Sequence, residues 1–563
     1  MLKQLLKKQP YIYRQVQIAK RKKRLKVDRP NWNAFVQSDA IAWSQALSST
    51  TSGEKILIPT SVGGDIHLIS IESLLAAALT LRGAQVHILL CDGVLPACFW
   101  CDSTFYPKQQ YFAAIGPQVD LCSFCFPSAL SILEPLGLTI HRYSDFLQDL
   151  DYQKAEAIAA TLNTTDISTY TLSGIKVGEH ALAGALRFYA RASLEGESHQ
   201  EAILRRYFQA ALLTTWATQR LLSTHEYQCA VFNHGIYVPQ GLIGEVARHQ
   251  NVRVVNWNPA YRQQCFIFTH YDTYHHQLMS ESVSNWENIN WNQQLENCLL
   301  DYLKSRWVGT NDWIWFHESP QFDLKAIASE TGVDFSRPCI GLLTNVMWDA
   351  QLHYQANAFE SLLAWVLETI RYFSDRPDLQ LLIRVHPAEI RGTLPSRQPI
   401  IAEIAQVFPN LPSNIFIIPP ESQVSTYAAM LSCNAVLIYG TKMGVELSSM
   451  GIPVIVAGEA WIRNKQITQD ATSVGEYLHY LDQLPFTEGL SPDTLVRARK
   501  YAYHFFFRRM IPLEFTTKAQ NASEFKLKDL QFSDLLPGRS AGLDLICEGI
   551  LTGSEFIYPA ELD

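Results

Sequence analysis

The sequence of 563 residues lacks a long hydrophobic run. No uninterrupted apolar segment approaches the roughly 20 residues that a transmembrane helix requires, and the first residues carry charges where a secretory signal would be apolar. Cysteines are few and odd in number, 11 in all, which disfavours a disulfide framework and favours free thiols or metal ligands. These absences predict a cytoplasmic protein. Hydrophobic residues make up 47% of the chain, which is enough to build large folded domains.

Positive charge is concentrated at the N-terminus of a chain whose formal net charge is −8. Residues 1–30 contain eleven lysines and arginines but a single acid, Asp28, and the rest of the chain is acidic. Two interpretations of a basic arm over residues 1–50 stay open. It is either a solvated tail or a weakly amphipathic segment that holds the protein, through residues 1–30, on the anionic inner face of the cell membrane. Nothing beyond the arm is basic, so no binding to nucleic acid is expected.

Apolar runs alternate with helical patterns in two blocks of the chain. "KILIPTSVGGDIHLISIESLLAAALTLRGAQVHILLCDG" predicts a strand, a glycine loop, a helix and a second strand, and "PCIGLLTNVMWDA" starts a second alternation. The pattern predicts two α/β domains, each a Rossmann-like doubly wound sheet, at residues 51–300 and 335–485, with a connection at 301–334 and a helix and tail at 486–563. Ligands of such sheets bind at the carboxyl ends of the strands, so a cleft between the domains is expected to hold them.

Polar side chains follow three predicted strands of the second domain. A cluster of Arg, His, Lys and a helix N-terminus favours a diphosphate, and a carboxylate can accept hydrogen bonds from ribose hydroxyls. Taken singly, such residues can also be local caps or satisfied core groups. The residues at these strand ends are Asn345, Asp349, Arg384, His386, Glu389, Thr441, Lys442, Gly444 and Glu446.

Two motifs in this domain carry a family resemblance. "RVHP" at 384–387 and "TKMGVELSSMGIPV" at 441–454 resemble the Arg-x-His-Pro and Ser/Thr-x-x-Gly-x-Glu-(x)4-Gly-x-Pro-Val signatures of capsule polysaccharide biosynthesis glycosyltransferases, which include bacterial capsule Kdo transferases. The resemblance implies a GT-B fold, with two domains facing a cleft and a nucleotide-sugar donor held by the C-terminal domain. By position, it implies that Arg384 and His386 contact the donor phosphates, Thr441 and the backbone at Gly444 surround them, and Glu446 binds the ribose.

The resemblance also implies the reaction. It indicates transfer of a sugar from the donor to a growing surface or capsular polysaccharide or a lipid-linked glycan, and it favours inversion, with retention left open. GT-B enzymes hold the departing diphosphate with cationic side chains and helix dipoles, so no catalytic divalent ion is implied. In "SQVSTYAAML", Ser425 and Thr426 match the segment that lines the base side. Three alternatives stay open: a nucleotide-sugar epimerase, a CDP-glycerol-type glycerophosphotransferase and a non-catalytic polysaccharide assembly protein.

The first domain offers three candidates for the catalytic base. An inverting transfer needs a base that takes the proton of the acceptor hydroxyl. Gly63 and Gly64, in a loop that resembles the first loop of GT-B enzymes, are expected to let the backbone approach the ligand. Asp65 and His67 stand in the same loop, and His234 ends a strand in "FNHGIYVPQG". We expect one of these three residues to be the base.

A cysteine-rich insertion at residues 91–125 predicts a metal site. Cys98 and Cys101 form one CxxC pair, Cys122 and Cys125 form a second, and twenty residues separate the two pairs. This spacing is typical of a structural zinc site with four thiolates, and an iron–sulfur cluster is the alternative. The fifth cysteine, Cys91, is another candidate ligand. Packing of reduced, buried thiols is the other explanation of the pattern.

Overall fold

The chain of this computed structural model folds into two compact units. The structure describes residues 10–309, 311–313, 319–349, 357–519 and 525–562. Unit 1 consists of three chain segments and unit 2 of the remainder. The segments of unit 1 are Met1–Tyr189, Ser193–Tyr274 and Arg509–Tyr558, and those of unit 2 are Ala190–Ala192, His275–Arg508 and Pro559–Asp563.

Unit 1 is built on a seven-stranded sheet with the order β13-β6-β5-β4-β1-β2-β3. Strands β1 to β5 run parallel, whereas β6 and β13 are antiparallel to their neighbours. The chain winds outwards from β1 to β3 and then in the other direction from β4, so β1 and β4 flank the point where the winding reverses. The strands of this sheet are β1 Lys55–Ser61, β2 Gln85–Leu90, β3 Thr139–Arg142, β4 Cys229–Asn233, β5 Arg253–Pro259, β6 Cys265–His270 and β13 Ile511–Pro512.

Helices accompany this sheet throughout unit 1. A hairpin of β14 Thr516–Lys518 and β15 Phe525–Leu527 also belongs to the unit. The strongly apolar helix after β1 is almost entirely buried, as the apolar sequence of its segment predicts. The helices of unit 1 are Pro10–Asp28, Trp32–Ser38, Ala40–Ser49, Ile66–Thr80, Gln109–Ile115, Cys122–Leu133, Asp149–Thr161, Thr164–Ile167, Val177–Tyr189, Gln200–Thr224, Gln240–His249 and Ala541–Thr552.

The described part of the basic arm, residues 10–50, contains the helices Pro10–Asp28, Trp32–Ser38 and Ala40–Ser49 and belongs to unit 1, and its basic helix, Pro10–Asp28, packs on the rest of the unit. Leu25 is buried, and the guanidinium of Arg21 lies 4.6 Å from the centroid of the Trp100 ring. The apolar side of this helix is therefore occupied by the protein itself. The first part of the arm, residues 1–9, lies outside the described residues, and contact with a membrane stays a prediction. Among the helices that the structure describes, none is both long and apolar enough to cross a bilayer.

Unit 2 contains a six-stranded sheet with the order β12-β11-β10-β7-β8-β9, and all of its strand pairs are parallel. The winding reverses between β7 and β10, as it does between β1 and β4 in unit 1. An apolar cluster that includes Trp365, Ile383 and Leu437 packs around this sheet. The strands are β7 Cys339–Leu343, β8 Gln380–Arg384, β9 Ile415–Ile418, β10 Ala435–Ile438, β11 Val454–Val456 and β12 Gln469–Asp470.

The limits of unit 2 differ from the predicted domain boundaries. Two helices lie in or next to the predicted connection at 301–334, yet they belong to the compact unit. The chain returns to unit 1 at Arg509, after the helix Pro492–Tyr503, which lies in the segment 486–563 predicted as a helix and tail. The helices are Tyr274–Ser280, which begins at the last residue of a unit 1 segment, Gln293–Trp307, Leu324–Thr331, Leu362–Ser374, Ala388–Arg391, Ile400–Val407, Thr426–Leu431, Met443–Ser449, Val474–Leu481 and Pro492–Tyr503.

Each sheet thus has the doubly wound topology that the alternation predicts. Both are mainly parallel α/β sheets, and their strand orders place one reversal of winding in each unit. Ligands of such sheets bind outside the carboxyl ends of the two strands at the reversal. The residues that follow β7 and β10 in unit 2, and β1 and β4 in unit 1, are therefore the places to look for a site.

Candidate functional site

The side chain of Asn345 links the loops that follow β7 and β10, the two strands between which the winding of unit 2 reverses. Leu343 at the end of β7 is paired with Ile438 at the end of β10. Two residues further on, the Asn345 amide nitrogen donates to the Gly440 carbonyl at 2.9 Å, and its amide oxygen accepts from the Gly440 N–H at 3.4 Å. The side chain fixes the start of the loop that carries Thr441 and Lys442. In this structure Asn345 positions the loop, and direct contact with a donor stays a prediction.

Gly444 lies in the short helix Met443–Ser449 that follows this loop. A Cβ at Gly444 would stand 2.6 Å from the Ile438 side chain, so a glycine allows the helix to pack directly against β10. The Thr441 hydroxyl accepts from the Met443 N–H at 3.3 Å and caps the start of the helix. Packing is thus a sufficient reason for the glycine, and its predicted place beside a phosphate is not tested by these contacts.

Glu446 is the centre of a buried ionic cluster. Its Oε2 accepts from Arg306 Nε at 3.1 Å and from the Tyr427 hydroxyl at 2.6 Å, and its Oε1 accepts from Lys442 Nζ at 3.2 Å. Burial raises the pKa of this carboxyl, but the charges of Arg306 and Lys442 outweigh it and leave the pKa at about 2. Glu446 is therefore ionised. A ribose hydroxyl would have to share an oxygen with these donors or displace Lys442, which is more exposed than Arg306.

Arg306 is the member of this cluster that the motifs missed. It also donates to the Tyr302 hydroxyl at 3.0 Å and to the carboxylate of Asp312. The helix Gln293–Trp307 buries Leu295, Leu299, Tyr302, Leu303 and Arg306, which recur at helical spacing. That periodicity is the signal in the sequence that could have identified Arg306, because an arginine in a buried stripe requires an acidic partner.

Arg384 connects the end of β8 to the chain beyond β9. Its guanidinium donates to the Pro419 carbonyl at 2.5 Å, to the Ser422 carbonyl at 3.4 Å and to the Thr426 hydroxyl at 3.3 Å. Burial lowers the pKa of this arginine to about 10, so it remains a cation at neutral pH. The positive charge stands at the predicted edge of the sheet, although the contacts described are structural. Binding of a donor phosphate by Arg384 stays a prediction.

At the same edge of the sheet, the hydrogen bonds of His386 define which nitrogen of its ring carries the proton. Its backbone N–H donates to the Thr344 hydroxyl at 3.0 Å, and its Nδ1 accepts from the Ala388 N–H at 3.1 Å. Because Nδ1 accepts, the proton of the neutral imidazole is on Nε2. The half-buried ring is thus oriented so that Nε2 is its donor, which is the state that a phosphate oxygen would need.

Three other residues that were predicted to contact the nucleotide-sugar donor lie in other surroundings: two cap helices and one is exposed. Glu389 Oε1 accepts from the Ile400 N–H at 3.0 Å and caps the helix Ile400–Val407, and burial raises the pKa of this carboxyl. Ser425 caps the helix Thr426–Leu431 by accepting from the Ala428 N–H at 3.3 Å. Asp349 is exposed. Capping accounts for Glu389 and Ser425 in this structure, and their contact with a donor stays a prediction.

In unit 1, His234 lies directly after β4 at the reversal of winding. Its φ of 64° is in the left-handed region, an uncommon conformation that is enriched at functional sites. Its Nδ1 is buried and has no hydrogen-bond partner in the described structure. Burial, followed by the charge of Arg187, lowers the pKa of His234 to about 4, so the ring is neutral at pH 7. A neutral imidazole with an unpaired nitrogen has the form that a general base requires.

Asp65 and His67 have structural partners instead. Asp65 Oδ1 accepts from the N–H groups of His67, at 3.0 Å, and Leu68, at 3.4 Å, and so caps the helix after β1. His67 contacts the Phe525 carbonyl through Nδ1 at 2.9 Å and Arg24 Nη2 through Nε2 at 3.2 Å. Burial lowers the pKa of His67. Of the three candidates for the base, His234 has the geometry that suits the role best.

Gly63 and Gly64 are explained by contacts within unit 1. A Cβ at Gly63 would lie 2.1 Å from the Ala129 Cβ, and one at Gly64 would lie 2.3 Å from the Trp100 ring. Side chains of the protein itself already fill the space that the missing Cβ atoms leave. The sequence predicts this space for a ligand, and the packing gives another reason for both glycines.

The five cysteines between 91 and 125 come together beside this glycine loop. Cys98 and Cys101 have their sulfurs 3.8 Å apart, and Cys125 Sγ accepts from the Gly64 N–H at 3.1 Å. Burial raises the pKa of Cys91, Cys101, Cys122 and Cys125, and in each case a negative charge on Cys98 would raise it further. In the described part of the chain, no three His, Cys, Asp or Glu side chains are arranged to hold a metal ion. The zinc site stays a prediction.

Comparison with solved structures gives matches of low identity. The β-Kdo 2,4 transferase KpsC of Thermosulfurimonas dismutans is 11% identical, with a TM-score of 0.33, over 49% of this chain and 79% of that one. The β-Kdo 2,7 transferase KpsC of the same organism is 10% identical, with a TM-score of 0.30, over 57% and 88%. The UDP-GlcNAc 2-epimerase of Methanocaldococcus jannaschii is 10% identical, with a TM-score of 0.22, over 80% and 99%.

The transferases that the two motifs led us to expect are thus among the structures to which this chain is similar. No family model and no curated protein matches the chain. The case for an activity rests on the residues of the chain itself.

Proposed function

We propose that the protein is a glycosyltransferase that moves a sugar from a nucleotide-sugar donor to a growing surface or capsular polysaccharide or a lipid-linked glycan. One observation carries the proposal. The two motif segments follow β8 and β10, parallel strands on either side of β7, and the second follows β10 at the reversal of winding in unit 2, where Asn345 links β7 to β10. That edge is where a doubly wound sheet binds a nucleotide.

In this proposal, unit 2 binds the donor and stabilises the leaving group. Arg384 supplies a buried cation, His386 supplies a donor at Nε2, and Lys442 supplies a second cation at the start of a helix. Negative charge that develops on the departing diphosphate is stabilised by such fixed donors without a divalent ion. Glu446, which is already ionised, binds the ribose by accepting from its hydroxyls.

In unit 1, His234 acts as the base. Its unpaired Nδ1 accepts the proton of the acceptor hydroxyl, and the oxygen attacks the anomeric carbon while the bond to the diphosphate breaks. Attack opposite to the leaving group inverts the anomeric centre. The low pKa of His234 keeps the ring neutral before the reaction, so the base is available at any pH well above about 4.

A thermal-shift screen of the whole protein tests donor binding first. UDP, GDP, CMP, CDP, ADP and their common sugar conjugates are compared at saturating concentration. A ligand at a hundred times its Kd stabilises the folded state by roughly 2.7 kcal/mol. We expect one nucleotide to raise Tm, and Glu446→Gln to abolish the rise. Glu488→Gln, a change at an exposed carboxylate of the same unit, is the control and should leave the rise intact. No rise with any nucleotide would contradict the proposal.

Turnover then separates the candidate reactions. With the donor identified, release of nucleotide is followed with and without glycan acceptor. Acceptor-dependent release supports a transferase. Interconversion of the donor sugar without an acceptor would instead indicate an epimerase, and binding without turnover would indicate a non-catalytic assembly protein. His234→Gln should bind donor as the wild type does and lose transfer by about two orders of magnitude or more. Full transfer by this variant would exclude His234 as the base.

A further inference from the structure

The pair Cys98 and Cys101 has the geometry of a dithiol that can close to a disulfide. The two sulfurs are 3.8 Å apart, and the Cys101 N–H donates to the Cys98 carbonyl at 3.0 Å, which fixes the turn between them. A disulfide requires a separation of about 2.05 Å, so side-chain rotation within the turn has to shorten the distance by less than 2 Å or so. Both residues are free thiols in this structure.

The two thiols differ in their access to solvent. Cys98 is half-buried, whereas Cys101 is completely buried. Cys98 is therefore the residue that a disulfide in solvent reaches first, as is the attacking cysteine of thiol–disulfide exchange proteins. Cys101 is the buried partner that would attack second.

We propose that Cys98 and Cys101 are a redox-active pair that exchanges with small disulfides of the glutathione type. The Cys98 thiolate attacks one sulfur of the small disulfide, which forms a mixed disulfide and releases one thiol that takes up a proton from solvent. The Cys101 sulfur then loses its proton and attacks Cys98 Sγ, which releases the second thiol. One small disulfide is reduced to two thiols, and the two protein thiols are oxidised to one disulfide.

The same chain contains a matched pair for comparison. Cys339 and Cys433 in unit 2 are also 3.8 Å apart, but they are 0% and 6% exposed. Cys433 donates its S–H to the Ala429 carbonyl at 3.4 Å. Distance alone would predict the same chemistry for both pairs. Access of the attacking sulfur predicts reaction only at Cys98, so the second pair serves as an internal control.

The segment between the two cysteines contacts the glycine loop and the loop that follows His234, so oxidation of the pair would affect acceptor binding, a consequence that rests on the proposed function. The ring of Trp100, between the two cysteines, packs directly on Gly64. The Phe99 N–H donates to the Val238 carbonyl at 2.8 Å, in the loop that follows His234. The cysteine side chains that rotate on closure lie on either side of Phe99 and Trp100, the two residues that make these contacts. The exchange itself requires no glycosyltransferase activity, so the two proposals can fail separately.

The test uses the whole protein, reduced and then incubated with oxidised glutathione. After acid quenching and alkylation of free thiols, peptide mass spectrometry locates each disulfide. We expect one disulfide, between Cys98 and Cys101, with Cys339 and Cys433 still reduced. Cys101→Ser should accumulate a glutathione adduct at Cys98, and Cys98→Ser should accumulate none at Cys101. Circular dichroism checks that both variants are folded.

Two results would overturn the proposal. One is a folded Cys101→Ser protein that carries no glutathione at Cys98 under conditions that modify an exposed thiol such as Cys298. The other is purified protein that holds about one equivalent of zinc or iron, with both cysteines protected from alkylation until the metal is removed. That second result would assign the pair to the metal site predicted from the CxxC spacing.

Discussion

Replacing Arg306 by Met should destabilise unit 2 strongly. The substitution keeps the length of the side chain but removes the charge that faces Glu446 and Asp312, and both of these carboxylates are buried beside it. Removing one partner of a buried ion pair costs about 3–5 kcal/mol, because the remaining charge loses its compensation. For a unit of this size, 3 kcal/mol lowers Tm by roughly 6–12 °C.

A double-mutant cycle measures the part of this cost that belongs to the pair. We expect Arg306→Met and Glu446→Gln together to destabilise the protein by at least about 2 kcal/mol less than the sum of the single changes. The neutral amide leaves no buried charge at position 446. Arg371→Met, at an exposed pair with Glu368, is the control and should cost under about 1 kcal/mol. Differential scanning calorimetry resolves the transition, and single changes that simply add would refute the reasoning.

The pH dependence gives an independent check of the same cluster. In the wild type the folded pKa of Glu446, about 2, is below its ordinary value of 4.5. It therefore contributes stability above about pH 4.5 that is lost as pH falls towards 2. Without Arg306 the pKa should rise above 4.5, so the variant should gain stability, relative to the wild type, as pH falls from neutral towards 4.5. A constant difference between pH 7 and 5 would contradict this.

Three further changes have defined outcomes. Glu72→Gln should stabilise unit 1 at pH 9 by about 5 kcal/mol, because burial raises the folded pKa of Glu72 from 4.5 to about 8 and the wild type loses about 1.4 kcal/mol of stability for each pH unit between those values; equal stability of variant and wild type at pH 9 would contradict this. Burial lowers the folded pKa of His87 from 6.5 to about 4, so the free energy of unfolding should fall as pH is lowered from 6.5 towards 4. His87→Asn, which can retain the hydrogen bond to His141, should make the stability less dependent on pH over this range. Gly444→Val should lower Tm clearly, since its Cβ would meet the Ile438 side chain at 2.6 Å, and an unchanged Tm would show that the helix can move.

The alternation of apolar runs predicted the parallel strands β1 to β5 and β7 to β11, but not β6, β12 or β13. Each run that ends in polar residues became a strand whose carboxyl end carries those residues, because parallel strands are buried on both faces and read as continuous apolar segments. The candidate site followed in part from the same argument. The parallel strands β8 and β10, which flank β7, bring the motifs around His386 and Thr441 to one edge of the sheet, as the sequence predicts.

The partners of the site residues could not be read from the motifs. Arg306 is 140 residues from Glu446 in the chain, and only the folded helix brings them together. Gly63 and Gly64 permit the close approach of a ligand and of a protein side chain equally well. The sequence alone therefore could not show that Trp100, rather than a substrate, packs on Gly64. The boundaries of the units depend on long-range contacts for the same reason, and periodicity within a short window contains no information about them.

The division of unit 1 into separate chain segments has a consequence for synthesis. Strand β13 of this unit pairs with β6, but more than two hundred residues are translated after β6 before the ribosome reaches β13. At 5–20 residues per second that interval lasts roughly 10–50 s, during which unit 2 can fold as a nearly continuous segment. The edge of β6 stays without its final neighbour for that time, and unpaired strand edges are sites of aggregation. The nascent chain is therefore expected to depend on chaperones most while unit 2 is being made.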